Sequence, residues 1–156
     1  MLQKVVIHGL VLDPITQWPI LVLKEEAASR LVPIWIGTSE ANAIALELES
    51  IKVPRPMTHD LLCGILEKVH APIKEVRITD VRDNTYFADL VLSPSAGELH
   101  VDARPSDAIA LALRAHVPIF VEESIFEKCY ELEDNTEALR QWLEKLSPEE
   151  MGRFEM

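Results

Sequence analysis

The chain has 156 residues, 48% of them hydrophobic, and carries a formal net charge of −11 at pH 7. That length and apolar content suit one globular domain with its own core. The acidic balance argues against a general basic surface that would bind phosphate backbones through many lysines and arginines. Residues 122–156 hold 11 of the 26 acidic residues and 4 of the 15 basic ones, so −7 of the net charge of −11 lies at the C-terminal end.

The sequence shows no pattern typical of export or of membrane insertion. Its N-terminus lacks the apolar segment and small-residue cleavage site of a signal peptide, and no run approaches the ~20 apolar residues of a membrane span. Only two cysteines occur, without the C-x-x-C spacing of zinc and redox sites. We therefore expect a soluble, cytoplasmic protein that has no membrane partner.

The first half of the chain predicts three strands and two helices. Apolar and β-branched runs between turn-forming residues indicate the strands, and apolar residues at helical spacing indicate the helices. Thr58 is expected to cap the second helix. The predicted elements are strands at Val5–Leu12, Ile20–Leu23 and Leu31–Ile36 and helices at Glu40–Ile51 and His59–Val69.

The second half begins with a predicted hairpin, because Asp83-Asn84 tolerates the positive φ of a tight turn between two strand-like runs. Strand pairs that turn locally, without regular alternation with helices, predict an α+β fold: a single domain with a mixed, mostly antiparallel sheet and packed helices. The predicted elements are strands at Ile73–Val81, Thr85–Leu92, Glu98–Ala103 and Pro118–Val121, and helices at Pro105–His116 and from the capping box Asp134-x-x-Glu137 to Leu146.

The densest group of polar side chains lies where a predicted strand meets a predicted helix, in the segment Asp102-Ala103-Arg104-Pro105-Ser106-Asp107. A helix start offers free backbone N–H groups and a partial positive charge, so chemistry can be placed there. A structural interpretation competes, because Pro105 suits the first helical turn and Ser106 or Asp107 can cap the helix. The preceding strand alternates between an apolar side, Leu99, Val101 and Ala103, and a polar side, Glu98, His100 and Asp102.

A second polar group, Thr58-His59-Asp60, places an imidazole and a carboxylate at another predicted helix start. Histidine can act as a general base, a proton shuttle or a metal ligand near neutral pH. Adjacent helical positions diverge by about 100°, so His59 and Asp60 need not address the same atom. Helix capping therefore remains an alternative for this group.

A faint internal repeat relates Ser39-Glu40-Ala41 to Ser106-Asp107-Ala108, and both copies follow a predicted strand. The repeat predicts equivalent first-turn positions for Glu40 and Asp107, with two helix starts directed at a shared cleft. Acidic residues in a first turn are also favoured by the helix dipole without any catalytic role.

Four ordered blocks of the chain resemble the bifunctional nuclease domain family. The resemblance spans roughly Val5–Ile125, so we expect a family domain at residues 1–125 and an acidic helical C-terminal extension at residues 126–156. The matching blocks are Pro33-Ile34-Trp35-Ile36-Gly37, Glu40-Ala41 with Ala43-Ile44-Ala45, Pro54-Arg55-Pro56-Met57-Thr58-His59-Asp60-Leu61-Leu62, and Asp102-Ala103-Arg104-Pro105-Ser106-Asp107-Ala108-Ile109-Ala110-Leu111.

This resemblance implies a small α+β domain whose named activity in plant members is hydrolysis of DNA and RNA. We therefore expect a nuclease, a phosphodiesterase that takes DNA, RNA or both as its substrate. No G-x-x-x-x-G-K-[ST] or G-x-G-x-x-G sequence occurs, which disfavours the common nucleotide-binding folds. The polar residues in the matching blocks that are catalytic candidates by their chemistry are His59, Asp60, Asp102, Arg104, Ser106 and Asp107.

Metal assistance is expected, because carboxylates bind Mg²⁺ or Mn²⁺ and the metal can polarise a phosphate and activate water. The expected metal ligands are Asp102, Asp107 and Glu40. Arg104 is expected to stabilise charge on the phosphoryl oxygens, and His59 to move a proton.

The alternative is a non-catalytic binding module or a homo-oligomeric assembly module with the same fold. Arg104 would then pair with Asp102 or Asp107 to fix the junction, while Thr58 and Ser106 would cap helices. Exposed strand edges, or the indoles of Trp18 and Trp35, would contribute to self-association. Under either interpretation we expect a homo-oligomer.

Overall fold

Seven strands form one mixed sheet in the computed structural model, which describes residues 1–131. The strands are β1 (Leu2–Leu12), β2 (Pro19–Glu25), β3 (Leu31–Trp35), β4 (Ile73–Arg82), β5 (Thr85–Leu92), β6 (Leu99–Ala103) and β7 (Ile119–Glu122). Their order across the sheet is β3-β2-β1-β7-β4-β5-β6, and each neighbouring pair is antiparallel except β4 with β7. The predicted α+β domain with a mostly antiparallel sheet is confirmed.

Four helices accompany the sheet within the described residues: α1 (Thr38–Leu48), α2 (Thr58–Lys68), α3 (Pro105–Ala115) and α4 (Glu123–Glu131). α3 is central, since it contacts α1 and α2 and packs on β4 and β5. Its alternation of Ala with Ile and Leu explains this position, because small side chains let neighbouring elements approach closely. α4 packs against β3, β4 and β7.

One core cluster joins the sheet to the helices. Val76 and Ile78 on β4 and Leu90 on β5 belong to it together with Ile109 on α3 and Phe126 on α4. Burial of one side chain of this size stabilises a fold by about 1.5–3 kcal/mol. The core therefore fixes α3, and with it the junction after β6, against the middle of the sheet.

The predicted strands and the first three predicted helices lie within three residues of the observed ones, and α4 is an addition to them. The expected boundary between residues 125 and 126 falls inside α4, where Ile125 and Phe126 are both fully buried. The expected helix from Asp134 to Leu146 lies outside the described residues. Within residues 1–131, no helix is both long and apolar enough to cross a membrane.

β6 is an edge strand of the sheet, and nothing within residues 1–131 covers its apolar side. Val101 lies in register with Leu90, and Leu90 with Val76, so all three face the helix-bearing side of the sheet. Leu90 and Val76 are buried, whereas Val101 and Leu99 are exposed because they lie at the last strand of the sheet.

Candidate active site

Three helices begin close together, and each has an acidic residue at its third position. These residues are Glu40 in α1, Asp60 in α2 and Asp107 in α3. His59 directly precedes Asp60, and Arg104 occupies the N-cap position of α3. Negative charge at these positions is favoured by the unpaired N–H groups of each first turn.

A continuous chain of contacts joins His59, Asp107, Arg104 and Glu40, which we call the helix-start cluster. His59 Nε2 lies 2.9 Å from Asp107 Oδ1. Asp107 Oδ2 accepts a hydrogen bond of 2.8 Å from Arg104 Nε and lies 2.7 Å from Arg104 Nη2. Arg104 Nη2 also donates to Glu40 Oε1 at 2.8 Å. The shared location of the Glu40 and Asp107 helix starts agrees with the internal repeat.

Exposure changes steeply across the helix-start cluster. The His59 side chain is 10% exposed, whereas the Arg104 side chain at the other end is 66% exposed. Asp107 and Glu40 lie between these extremes. A buried imidazole is therefore connected through one carboxylate to a guanidinium that solvent or a ligand can reach.

Arg104 keeps donor capacity for a ligand. Its contacts with Asp107 and Glu40 use only Nε and Nη2, and Nη1 has no hydrogen-bond partner within residues 1–131. Asp107, and after it Glu40, raises the pKa of Arg104 above its ordinary value, so the guanidinium stays charged. Two N–H groups of a positively charged side chain are thus free to meet an anion.

Glycine at position 37 leaves room for the Glu40 carboxylate. Gly37 precedes α1 with φ −73° and ψ 158°, a conformation that most residues can adopt. A Cβ at this position would overlap the Glu40 carboxylate oxygen Oε2. The absence of a side chain therefore allows Glu40 to turn back over the start of α1 and reach Arg104.

Asp60 has a structural role outside the helix-start cluster. Its Oδ2 accepts a hydrogen bond of 2.9 Å from the Met57 N–H, and its Oδ1 accepts one of 2.7 Å from Arg114 Nε. The Met57 N–H is the main cause that lowers the pKa of Asp60, and Arg114 adds to it against the opposing effect of burial. Asp60 caps α2, whereas Thr58 was expected to do so and is instead its first residue.

Asp102 and Ser106 do not join the helix-start cluster. Asp102 lies in register with Asp89 on β5, on the sheet face opposite to Val101, because successive strand residues face opposite ways. It makes no hydrogen bond or ion pair with any residue of the described chain. Ser106 is buried, and no side chain caps the start of α3, so the alternative in which Ser106 or Asp107 caps this helix is not observed.

Arg114 is a residue that the sequence pattern does not single out. Its side chain is 6% exposed, and it donates to Asp60 and to the backbone oxygens of Ala110 and Ala43. It thereby joins α1, α2 and α3. No sequence signal points to this role, because Asp60 is 54 and Ala43 71 residues away along the chain.

The expected metal ligands do not fit a metal ion as they are arranged. Asp102 lies on the sheet face opposite to Val101, away from the helix-start cluster. Asp107 and Glu40 both bind the guanidinium of Arg104. In the described part of the chain, no group of three or more His, Cys, Asp or Glu side chains could hold a metal ion.

Comparison with known proteins places these residues in a family. A model of the bifunctional nuclease domain matches residues 21–133. A protein of Mycobacterium tuberculosis described as uncharacterized is 40% identical over 146 residues, which cover 85% of this chain and 87% of that protein. "Bifunctional nuclease 1" of Oryza sativa subsp. indica is 31% identical over 109 residues, 67% of this chain and 33% of that protein.

"Bifunctional nuclease 1" of Arabidopsis thaliana is also 31% identical over 109 residues, which cover 67% of this chain and 34% of that protein. This chain therefore spans about a third of the plant proteins it resembles and most of the mycobacterial one. The domain match extends from β2 through α4 and includes all four residues of the helix-start cluster. The chain belongs to the bifunctional nuclease domain family.

Proposed function

We propose that this chain hydrolyses phosphodiester bonds of DNA or RNA at the helix-start cluster. Its family, and the names of its plant relatives, support a nuclease-type activity. The observation that carries the location is the His59 and Asp107 pair directly beside an exposed guanidinium with free N–H groups. A proton acceptor and a phosphate-binding cation are thereby adjacent.

His59 is assigned the proton transfer. With Asp107 ionised, its carboxylate accepts a hydrogen bond from His59 Nε2–H, and the neutral imidazole keeps its lone pair on Nδ1. Nδ1 would take a proton from the attacking water as its oxygen bonds to phosphorus and the bond from phosphorus to the leaving oxygen breaks. Asp107 would stabilise the imidazolium that forms, which would then release its proton to solvent, while the leaving oxygen on the opposite side of phosphorus would take a proton from solvent.

Arg104 is assigned the binding of the phosphate group. Its two Nη1–H groups can donate to the non-bridging oxygens, where negative charge is concentrated in the transition state. Asp107 and Glu40 hold the guanidinium from one side, so its orientation is set before substrate binds. Preorganised donors of this kind stabilise a transition state without a reorganisation cost.

Proton transfer and charge stabilisation are here assigned to side chains of this chain alone. With a neutral His59, the helix-start cluster carries a net charge of −1, from two carboxylates and one guanidinium. This charge opposes an incoming phosphodiester, so dependence on added Mg²⁺ or Mn²⁺ is measured as a separate arm of the test.

The test compares two histidines that each contact an aspartate. His59 contacts Asp107, and His100 on the edge strand β6 contacts Asp89 on β5, on the sheet face opposite to Val101. Hydrolysis of single-stranded DNA, duplex DNA and RNA is measured for the purified wild type, for His59→Gln and for His100→Gln. Each preparation is assayed with Mg²⁺, with Mn²⁺ and with EDTA.

We expect His59→Gln to lower the hydrolysis rate by about 10²-fold or more, the usual contribution of a positioned acid or base, while His100→Gln keeps the wild-type rate. Thermal unfolding followed by circular dichroism checks that both variants fold. Equal rates for all three folded proteins would refute the assignment. A folded His59→Gln that unfolds more easily but hydrolyses normally would assign the helix-start cluster to helix packing instead.

A further inference from the structure

α2 presents an apolar outer surface that the rest of residues 1–131 leaves uncovered. Leu61, Leu62 and Ile65 are 56%, 41% and 48% exposed, whereas His59 is the buried residue of this helix. Met57 before the helix and Val69 after it extend the same surface. We call Met57, Leu61, Leu62, Ile65 and Val69 the α2 face.

A glycine stands beside the α2 face in the middle of the helix. Gly64 lies between Leu61 and Ile65, and a Cβ built on it would meet no atom within 4 Å. Glycine weakens a helix interior relative to alanine, and nothing within the described chain requires its small size. A glycine at such a position lets a second helix backbone approach closely.

The size of the α2 face matches an interface. Its five residues expose on the order of 500 Å² of mostly apolar surface, at the upper end of what soluble monomers leave open. A standard interface buries about 800 Å² on each partner, somewhat more than half of it apolar. The α2 face alone therefore supplies the apolar part of one side of such an interface.

We propose that the α2 face binds the α2 face of a second copy of this chain, with the two helices antiparallel about a two-fold axis and crossing near Gly64. A two-fold axis makes one surface complementary to itself, so no other patch is needed. In this arrangement Lys68 of each copy lies opposite the first helical turn of its partner, which carries Asp60. The association is independent of hydrolysis.

The first test is the mass of the full chain in solution. Sedimentation velocity is measured from about 1 to 100 µM for the wild type, for the double variant Leu61→Glu with Ile65→Glu, and for Ile15→Glu. Ile15 is a matched control, since it is an exposed aliphatic residue in the turn after β1 and does not belong to α2. Circular dichroism checks that each variant is folded.

We expect a wild-type particle of two or another even number of copies, a loss of association by about tenfold or more in the double variant, and wild-type behaviour of Ile15→Glu. A monomeric wild type, or a folded double variant that associates as the wild type does, would overturn the proposal. Association that survives in the double variant but is lost in Val101→Lys would place the contact on the β6 edge instead.

Gly64→Gln provides a second test that does not remove apolar surface. Space around Gly64 is open in one copy, so the variant is expected to fold with unchanged or higher thermal stability at concentrations where the protein is monomeric. At the crossing point the added side chain would separate the helices, and the dissociation constant is expected to rise about tenfold or more. An unchanged dissociation constant would show that the helices do not cross there.

Discussion

The third position of α1, α2 and α3 carries a carboxylate in each case, yet the three carboxylates have different partners. Asp60 accepts the Met57 N–H and pairs with Arg114, so it holds its own helix start in place. Asp107 and Glu40 contact Arg104 instead. Because the helix dipole favours an acid at each position to a similar extent, local sequence does not separate a capping residue from a site residue. The partner supplied by another helix makes the difference.

The structural role of Asp60 has a consequence for stability against pH. The pKa of Asp60 is lowered in the folded chain. Its contribution to the free energy of unfolding is therefore fully present above the ordinary pKa of aspartate and is lost as pH falls through the folded-state pKa. Asp60→Asn is expected to lower the free energy of unfolding by about 1–3 kcal/mol at pH 7, since Arg114 loses a charged partner. This difference from the wild type is expected to shrink as pH falls below about 4.

Urea unfolding of the wild type and Asp60→Asn between pH 7 and pH 3 measures this effect. Asp102→Asn is the control, because Asp102 is exposed and makes no ion pair within residues 1–131. A deficit of Asp60→Asn that stays constant, or grows, toward pH 3 would contradict the capping and pairing role.

At the scale of elements, Arg30 connects the turn between β2 and β3 to α4. Arg30 donates from Nε and Nη2 to Glu25 at 2.8 Å each, and its Nη1 lies 2.7 Å from Glu123. Its guanidinium also stacks 4.3 Å above the centre of the Phe126 ring. Glu25 is buried, and the Arg30 hydrogen bonds are the main cause that lowers its pKa.

Removal of Arg30 is therefore expected to leave a buried carboxylate without its partner. Arg30→Ala should lower the free energy of unfolding by about 2–4 kcal/mol at pH 7, measured by urea titration. The loss should diminish below about pH 4, because protonation of Glu25 removes the unpaired charge in the variant and the ion pair in the wild type. Lys4→Ala, which breaks only the exposed contact with Glu26, should cost about 0.5 kcal/mol or less. Similar losses in both variants would contradict this account.

The elements themselves could be predicted from local patterns, whereas most of the contacts between them could not. Periodicity placed the strands and the first three helices, and the resemblance between the two helix starts indicated that Glu40 and Asp107 lie together. Strand alternation places Asp102 on the side of β6 opposite to Val101. Which face of the sheet that side joins depends on how β6 pairs with β5. The contacts of Arg114 join residues more than 50 positions apart, which no local pattern encodes.

At the scale of the whole molecule, the net charge of −11 limits how nucleic acid can bind. An acidic surface releases few counterions from a nucleic acid, so affinity must come from local contacts such as Arg104. Binding of labelled single-stranded DNA by His59→Gln, followed by fluorescence anisotropy between about 50 and 200 mM NaCl, should give a slope of log K against log salt of about −1. A slope steeper than about −3 would indicate an extended basic surface and contradict a site centred on one arginine.

Two aspartates on either side of Arg104 in the sequence distinguish hydrolysis at the helix-start cluster from hydrolysis elsewhere on the chain. Asp107 contacts both His59 and Arg104, whereas Asp102 lies on the opposite face of the sheet. The measurement is the hydrolysis rate of one single-stranded oligonucleotide by the wild type, Asp107→Asn and Asp102→Asn, purified identically and verified as folded. We expect a loss of about 10²-fold or more in Asp107→Asn and a wild-type rate in Asp102→Asn. Loss in Asp102→Asn with activity retained in Asp107→Asn would rule out the helix-start cluster as the site of hydrolysis.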